Sequence, residues 1–189
     1  RVDASPAAVA EAVAASVSAE PNPTWTRRFE SAESVHWETV REVIESGNGI
    51  SAVEEGRIDH FEGGILDCIT RPLPDRATVF VSNSMPVLDL DRFARPNEKS
   101  LTVHGNRGVS GIDGITSTAL GVGAATDDPL VVVTGDLAFF HDTNGLLALD
   151  RFDLEATIVL VNNDGGGIFH MLPIEQFDRP FTSHFKTPH

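Results

Sequence analysis

The sequence has 189 residues, 41% of them hydrophobic, enough for one domain with its own core plus an appendage. Asp and Glu number 28 against 14 Lys and Arg, a formal net charge of −14; such a surface repels nucleic acid and anionic lipid, so neither is an expected partner. Cys68 is the sole cysteine, no apolar run reaches membrane-span length and no signal-peptide pattern opens the sequence, so a disulfide framework, a cysteine metal site and a membrane protein are set aside and a reducing, cytoplasmic setting fits.

The charge is patterned. Only Lys99 and Lys186 are lysines, the other cations being arginines, and the acidic residues are scattered (Glu54-Glu55, Asp127-Asp128, Asp150, Asp153) rather than gathered in a tail. A scattered, acidic, lysine-poor surface suits a cytoplasm of very high salt, where screening removes self-repulsion. The sequence opens on Arg1 rather than Met, which reads as a piece of a longer or processed chain.

In chain order, residues 6–19 form an Ala-rich helix with Ser5 as N-cap and Pro6 in the first turn, ended by Pro21-Asn22-Pro23. A second helix is expected over 33–46, stopped by Gly47-Asn48-Gly49. Residues 1–53 thus read as the tail of a preceding domain with a linker helix, and 54–189 as the main domain. Residues 57–71 are roughly helical and closed by Pro72 and Pro74. Four β-branched runs follow at 78–82, 100–103, 130–134 and 157–161, with helix-like stretches at 86–95, 112–125 and 142–151 between them. Strands alternating with helices predict an α/β fold, a parallel sheet with helices on both faces. The runs 130–134 and 157–161 are apolar throughout and read as strands buried on both sides.

In such folds ligands sit beyond the carboxyl ends of the strands. That edge carries Asn83-Ser84, His104 through Gly108, Gly135-Asp136, and Asn162 through Gly167. Gly135-Asp136 alone reads more readily as a helix cap. The second loop tips the balance, since three consecutive glycines cost entropy that few structural turns need. A carboxylate, an amide oxygen and a backbone carbonyl can form one side of an octahedral magnesium site, with substrate phosphates and water on the other. The run Asn106-Arg107-Gly108-Val109-Ser110-Gly111-Ile112-Asp113-Gly114 is a glycine-rich turn into a helix with one cation; it is either a plain tight turn or a ligand loop. Neither it nor Gly121-Val122-Gly123 fits the dinucleotide fingerprint, and no P-loop or nucleophile elbow is present. The seven histidines show no metal-ligand spacing; His104 and His141 are the two near the expected ligand edge. Trp25 and Trp37 read as packing residues.

Gly-Asp, then a helix and a strand, then Asn163 lying 27 residues beyond Asp136, resembles the signature of thiamine-diphosphate enzymes. The resemblance implies that Asp136, Asn163 and the carbonyl of Gly165 hold magnesium, or manganese in its place, and through it the diphosphate. The run from Asn106 to Gly114, with Ser82 through Pro86, Gly135-Asp136-Leu137 and Asn162 through Phe169, is similar to the family of 2-succinyl-5-enolpyruvyl-6-hydroxy-3-cyclohexene-1-carboxylate synthases over roughly residues 54–189. That resemblance implies decarboxylation of 2-oxoglutarate and addition of the resulting carbanion to isochorismate, in menaquinone biosynthesis. It places Gly108, Ser110, Gly111, Ile112, Gly135, Asp136, Leu137, Ala138, Asn163 and Gly166 around the cofactor, Ile112 propping it in a bent shape. Ser84 and Arg107 are expected at substrate carboxylates, Ile168 and Phe169 on the site wall.

The family further implies an activating glutamate in an N-terminal domain of a second subunit, hence a homodimer or homotetramer, with this chain holding half a site and inactive alone. Residues beyond His189 are expected to complete the fold. The chain departs from the family at Leu88, where an arginine is usual; Arg92, one turn on, is the candidate replacement. Two other readings stay open: another carboligase or decarboxylase of the acetohydroxyacid synthase kind, and a non-catalytic magnesium- and diphosphate-binding module.

Overall fold

The computed structural model describes residues 5–18, 22–45 and 61–189. Contacts divide the chain into two units, Arg1–Glu42 and Val43–His189. Helix α1 (Pro6–Ser16) starts where the sequence places it: the Ser5 hydroxyl accepts the Ala8 N–H at 3.2 Å and Pro6 occupies the first turn. Helix α2 (Pro23–Glu45) starts well before residue 33. The cause is a cap: Asn22 Oδ1 accepts the N–H groups of Thr24 and Trp25, both at 3.1 Å, and Pro23 follows at the first helical position. The stop signal Gly47-Asn48-Gly49, the boundary at 53/54 and residues 57–60 lie outside the described residues.

The second unit contains α3 (Gly63–Thr70), β1 (Thr78–Val81), α4 (Met85–Phe93), β2 (Thr102–His104), α5 (Ile115–Gly123), β3 (Leu130–Gly135), α6 (Asp136–His141), α7 (Leu147–Phe152) and β4 (Thr157–Val161). The strands form one parallel sheet in the order β2-β1-β3-β4, with Thr78 level with Leu130 and with Thr102, and Val131 level with Thr157. Side-chain alternation builds a core on each face. Phe80, Leu130 and Val132 pack with Ile115, Ala119 and Leu120 of α5 and with Ala138 of α6. Val131 and Val133 pack on the other face with Leu66 of α3 and Leu90 of α4. Helices therefore cover both faces, as the alternation of runs predicts.

Three details differ from the sequence reading. The β4 run is apolar throughout but lies at the sheet edge, with Thr157 and Leu160 exposed and the rest half-buried. Apolar content reports potential burial, whereas strand order decides it, and the two inner strands, β1 and β3, are the ones covered from both sides along most of their length. The stretch 142–151 is not one helix: α6 starts at Asp136 directly from β3, and a 3-10 turn, Thr143–Leu146, leads into α7. The helix expected at 112–125 begins at Ile115, after residues 111–114 have turned the chain.

Two buried contacts anchor the helices below the ligand edge. Asp67 of α3 is fully buried and receives a bidentate pair from Arg95, Nε to Oδ1 at 2.9 Å and Nη2 to Oδ2 at 2.8 Å, with Arg71 Nε 3.1 Å from Oδ2. The Arg95 hydrogen bonds hold its carboxyl below the usual carboxylate range against the opposing effect of burial. Lys99 Nζ donates to the carbonyls of Thr70, Arg71 and Leu73, which closes the end of α3 with one of the chain's two lysines. Among the described residues no helix is long and apolar enough to cross a membrane.

Candidate functional site

Because all four strands are parallel, the loops after them open on one edge of the sheet. There they enclose a cavity of about 350 Å³. Its wall takes Ser84 from the turn after β1, and Ser110, Gly111 and Ile112 from the loop after β2. Gly135, Asp136, Leu137 and Ala138 come from the β3–α6 junction; Asn163, Gly165, Gly166, Ile168 and Phe169 follow β4. The structure thus brings to one cavity all the site residues named from the sequence except Arg107 and Gly108.

Asp136 is buried, and both its oxygens are engaged at the loop it faces. Oδ1 accepts the Leu137 N–H at 2.7 Å, and Oδ2 accepts the Gly165 N–H at 2.8 Å. Asn163 donates through Nδ2 to Glu62 Oε2 at 3.3 Å, which leaves its amide oxygen for another partner. Glycine is needed at all three consecutive positions, Gly166 because a Cβ there would run into the Phe185 carbonyl. Gly165 sits at φ +114°, and a Cβ there would run into the Lys186 carbonyl; a Cβ on Gly167 would run into the Asn163 carboxamide. The glycines allow Asp136, Asn163 and the 165–167 backbone to share a volume that side chains would fill.

These donors are hard oxygens: a carboxylate, an amide and backbone carbonyls. Among the described residues no group of three or more His, Cys, Asp or Glu is placed to hold a metal. A cation at Asp136 would therefore rely on the amide, the carbonyl and oxygens brought by its ligand, as magnesium bound with a phosphate ester does. The donor set and the side-chain-free cradle fit a magnesium diphosphate. Residues 182–189 fold across the glycine loop: Gly166 N–H donates to Lys186 O at 2.6 Å, Lys186 Nζ lies 3.5 Å from Asp164 Oδ2, and His189 Nε2 lies 3.9 Å from Asp136 Oδ2.

Arg107 is exposed and does not line the cavity. Its Nη1 donates to Asn83 Oδ1 at 2.6 Å, and no described carboxylate pairs with it. Asn83 is itself buried and donates through Nδ2 to Asn106 O at 3.0 Å and Gly111 O at 2.7 Å. Gly108 also stands off the cavity, with open space where a Cβ would be. His104 and His141 are exposed and outside the lining.

Two acidic lining residues, Glu62 and Asp89, escaped the sequence reading, and Asn83, expected at the ligand edge, was not read as a brace. Glu62 and Asp89 line the cavity from the α3 and α4 side. Arg92 and Asp89 line an adjoining hollow that also contains Glu62 and Asn163. Asp89 is 3% exposed, and burial, with the charge of Glu62 added and Arg92 opposing, pushes its carboxyl up to about 6. No local signal marks these residues, because what surrounds them comes from elements distant in the chain. Ser84, at the mouth of the cavity, holds φ +71°, a region costly for any residue with a side chain and one that recurs at functional sites.

A parallel α/β sheet whose carboxyl edge offers a buried Asp, an Asn and a side-chain-free glycine loop to one cavity defines a class: domains that hold a phosphorylated cofactor through a divalent cation. Residues 87–188 match the family model described as "Thiamine pyrophosphate enzyme, C-terminal TPP binding domain", and the chain belongs to that family. It is 54% identical over 187 residues to the 2-succinyl-5-enolpyruvyl-6-hydroxy-3-cyclohexene-1-carboxylate synthase of Haloarcula marismortui, covering 98% of this chain and 29% of that protein. It is 58% identical over 165 residues to the synthase of the same name from Halorubrum lacusprofundi, covering 87% of this chain and 26% of that protein. With the one from Natronomonas pharaonis it shares 64% identity over 128 residues, 68% of this chain and 22% of that protein. The chain spans less than a third of the length of these relatives. Halophile relatives fit the acidic, lysine-poor composition.

Proposed function

We propose that the chain is the diphosphate- and magnesium-holding part of a 2-succinyl-5-enolpyruvyl-6-hydroxy-3-cyclohexene-1-carboxylate synthase, acting on 2-oxoglutarate and isochorismate in menaquinone biosynthesis. The observation that carries the proposal is the junction of Asp136 with Gly165 beside Asn163, at the carboxyl edge of a parallel sheet. Identity of 54% to a synthase of that name over nearly the whole chain supports the choice within the family.

In this reading Asp136, Asn163 and the Gly165 carbonyl hold the cation, which magnesium or manganese can supply. Leu137, Ala138 and Gly166 flank the diphosphate, while Ser110, Gly111 and Ile112 support the cofactor from the β2 loop. When bound, thiamine diphosphate supplies the carbanion-stabilising chemistry that lets a 2-oxo acid lose carbon dioxide and join a second substrate. Ile112, Ile168 and Phe169 give the cavity apolar walls that exclude water from the reacting centre. Ser84 presents a hydroxyl at the mouth. Arg107 serves substrate carboxylates by exchanging its hydrogen bond to Asn83 for them, and Arg92, on the adjoining hollow, takes the place of the arginine usual at position 88. The activating glutamate comes from an N-terminal domain of a second subunit, so the working unit is a homodimer or homotetramer, placed in the cytoplasm.

Product formation by the full-length protein, supplied with thiamine diphosphate and magnesium, tests the proposal. It expects carbon dioxide from 2-oxoglutarate and one ring product per isochorismate consumed. A preference for pyruvate as donor would favour the acetohydroxyacid synthase kind of carboligase, the reading that Leu88 keeps in play. Cofactor binding without turnover of either donor would leave the non-catalytic module.

A further inference from the structure

Asp89 is 3% exposed and lies in the middle of α4, yet among the described residues it makes no hydrogen bond and no ion pair. Buried carboxyls are normally satisfied by partners, and an unmatched one calls for an explanation. No fully enclosed side-chain oxygen or nitrogen lacks a partner among the described residues, so the Asp89 oxygens keep access to the cavity and the adjoining hollow that Asp89 lines. The carboxyl is thus aimed at space that a ligand fills.

The cavity's charge selects what that ligand can present. Glu62, Asp89 and Asp136 line it, and among the described lining residues there is no Lys or Arg. A ligand carboxylate brought to Asp89 would meet like charge and find no cation within the lining. A hydroxyl would find an acceptor with its full hydrogen-bonding capacity unused. Among the described residues no group of three or more His, Cys, Asp or Glu gathers at Asp89.

We propose that Asp89 is a substrate-binding residue that accepts a hydrogen bond from a neutral hydroxyl of the second substrate, and so sets the orientation of that substrate's ring in the cavity. The inference rests on the proposed reaction, whose product name in the relatives includes a ring hydroxyl. The substrate's carboxylates then turn away from Asp89 and Glu62, which line the cavity together. Leaving a carboxyl unmatched costs stability in the empty protein, a cost expected at a binding group rather than a packing group.

The experiment uses the full-length protein with thiamine diphosphate, magnesium and 2-oxoglutarate. Acceptor kinetics are compared for isochorismate and for an analogue lacking the ring hydroxyl. Wild type should prefer the hydroxylated acceptor in kcat/KM by about 10- to 100-fold, the range for leaving a buried polar group unpaired. Asp89→Leu should abolish most of that preference, raising KM for isochorismate far more than KM for 2-oxoglutarate. Asp89→Asn keeps an acceptor oxygen and should retain most of it, which also covers the case of a leucine variant that folds poorly. In the ligand-free state both variants should melt higher than wild type. An active wild type whose preference survives Asp89→Leu overturns the inference alone. A wild type that turns over pyruvate but not 2-oxoglutarate overturns the reaction assignment, and the inference falls with it. Variants that melt lower and lose both substrates equally make Asp89 a structural residue and also overturn it.

Discussion

Asn83 Oδ1 accepts a hydrogen bond from Arg107 Nη1 at 2.6 Å, across the mouths of β1 and β2. The same carboxamide donates to Asn106 O and Gly111 O, so one buried side chain ties down the start and the end of the glycine-rich loop. The arginine that the sequence offers as a substrate ligand is held by a neighbouring amide rather than braced by an acid.

Asn83→Ala should loosen that loop and leave two carbonyls without a donor. A destabilisation of about 2–6 kcal/mol is expected, from one to three per buried group left unmatched. Urea denaturation of the full-length protein measures it. Arg107→Ala should cost far less stability, since its guanidinium is exposed, while raising KM for 2-oxoglutarate. Equal losses of stability in the two variants would make Arg107 part of the brace.

Asp67 and Asp89 should move stability with pH in opposite senses. The Asp67 carboxyl is held below its ordinary value by Arg95, so its contribution is present above about pH 4 and is lost as pH falls through its lowered folded value. Asp67→Asn leaves Arg95 without its bidentate partner and should cost about 3 kcal/mol at neutral pH, and less in acid, as followed by thermal melts against pH.

Asp89 works the other way. Its carboxyl is pushed up to about 6, so the folded state is penalised as pH rises from about 4 to above 6. Asp89→Asn should therefore stabilise the ligand-free protein by about 2–3 kcal/mol at pH 7 and by little at pH 4. A gain of the same size at both values would show that ionisation is not the cause.

A formal net charge of −14 with only two lysines predicts salt-dependent stability. Screening at molar salt shortens the range of repulsion to about 3 Å. The melting temperature should rise between 0.1 M and 2 M KCl; a flat response would mark an ordinary acidic protein.

Much of this architecture was legible in the sequence because it is written in local pattern. Buried β-branched runs separated by helical stretches gave the parallel sheet, and glycine and asparagine clusters marked its ligand edge. Asp136, Asn163 and Gly165 could be paired because their spacing carries a recognisable order. What stayed hidden depends on neighbours distant in sequence. Val131 and Val133 are buried on an inner strand while Leu160, as apolar, is exposed on an outer one. Asn83 reads from the sequence as one of the polar residues of the ligand edge; its bracing of the 106–111 loop depends on contacts with Asn106 and Gly111. Nothing in the run LDLD marks Asp89, and it is the packing of α4 beside the cavity that buries it. The early start of α2 is written in Asn22-Pro23, a cap and first turn that the sequence reading takes only as the end of α1.

The most direct test of the account is calorimetric titration of thiamine diphosphate into the full-length protein, with and without magnesium, for wild type, Asp136→Ala and Asn163→Ala. The account predicts magnesium-dependent binding by wild type and a loss of at least about 100-fold in each variant, with melting curves confirming that both still fold. Cofactor binding as tight as wild type in both variants, with the same dependence on magnesium, would contradict it.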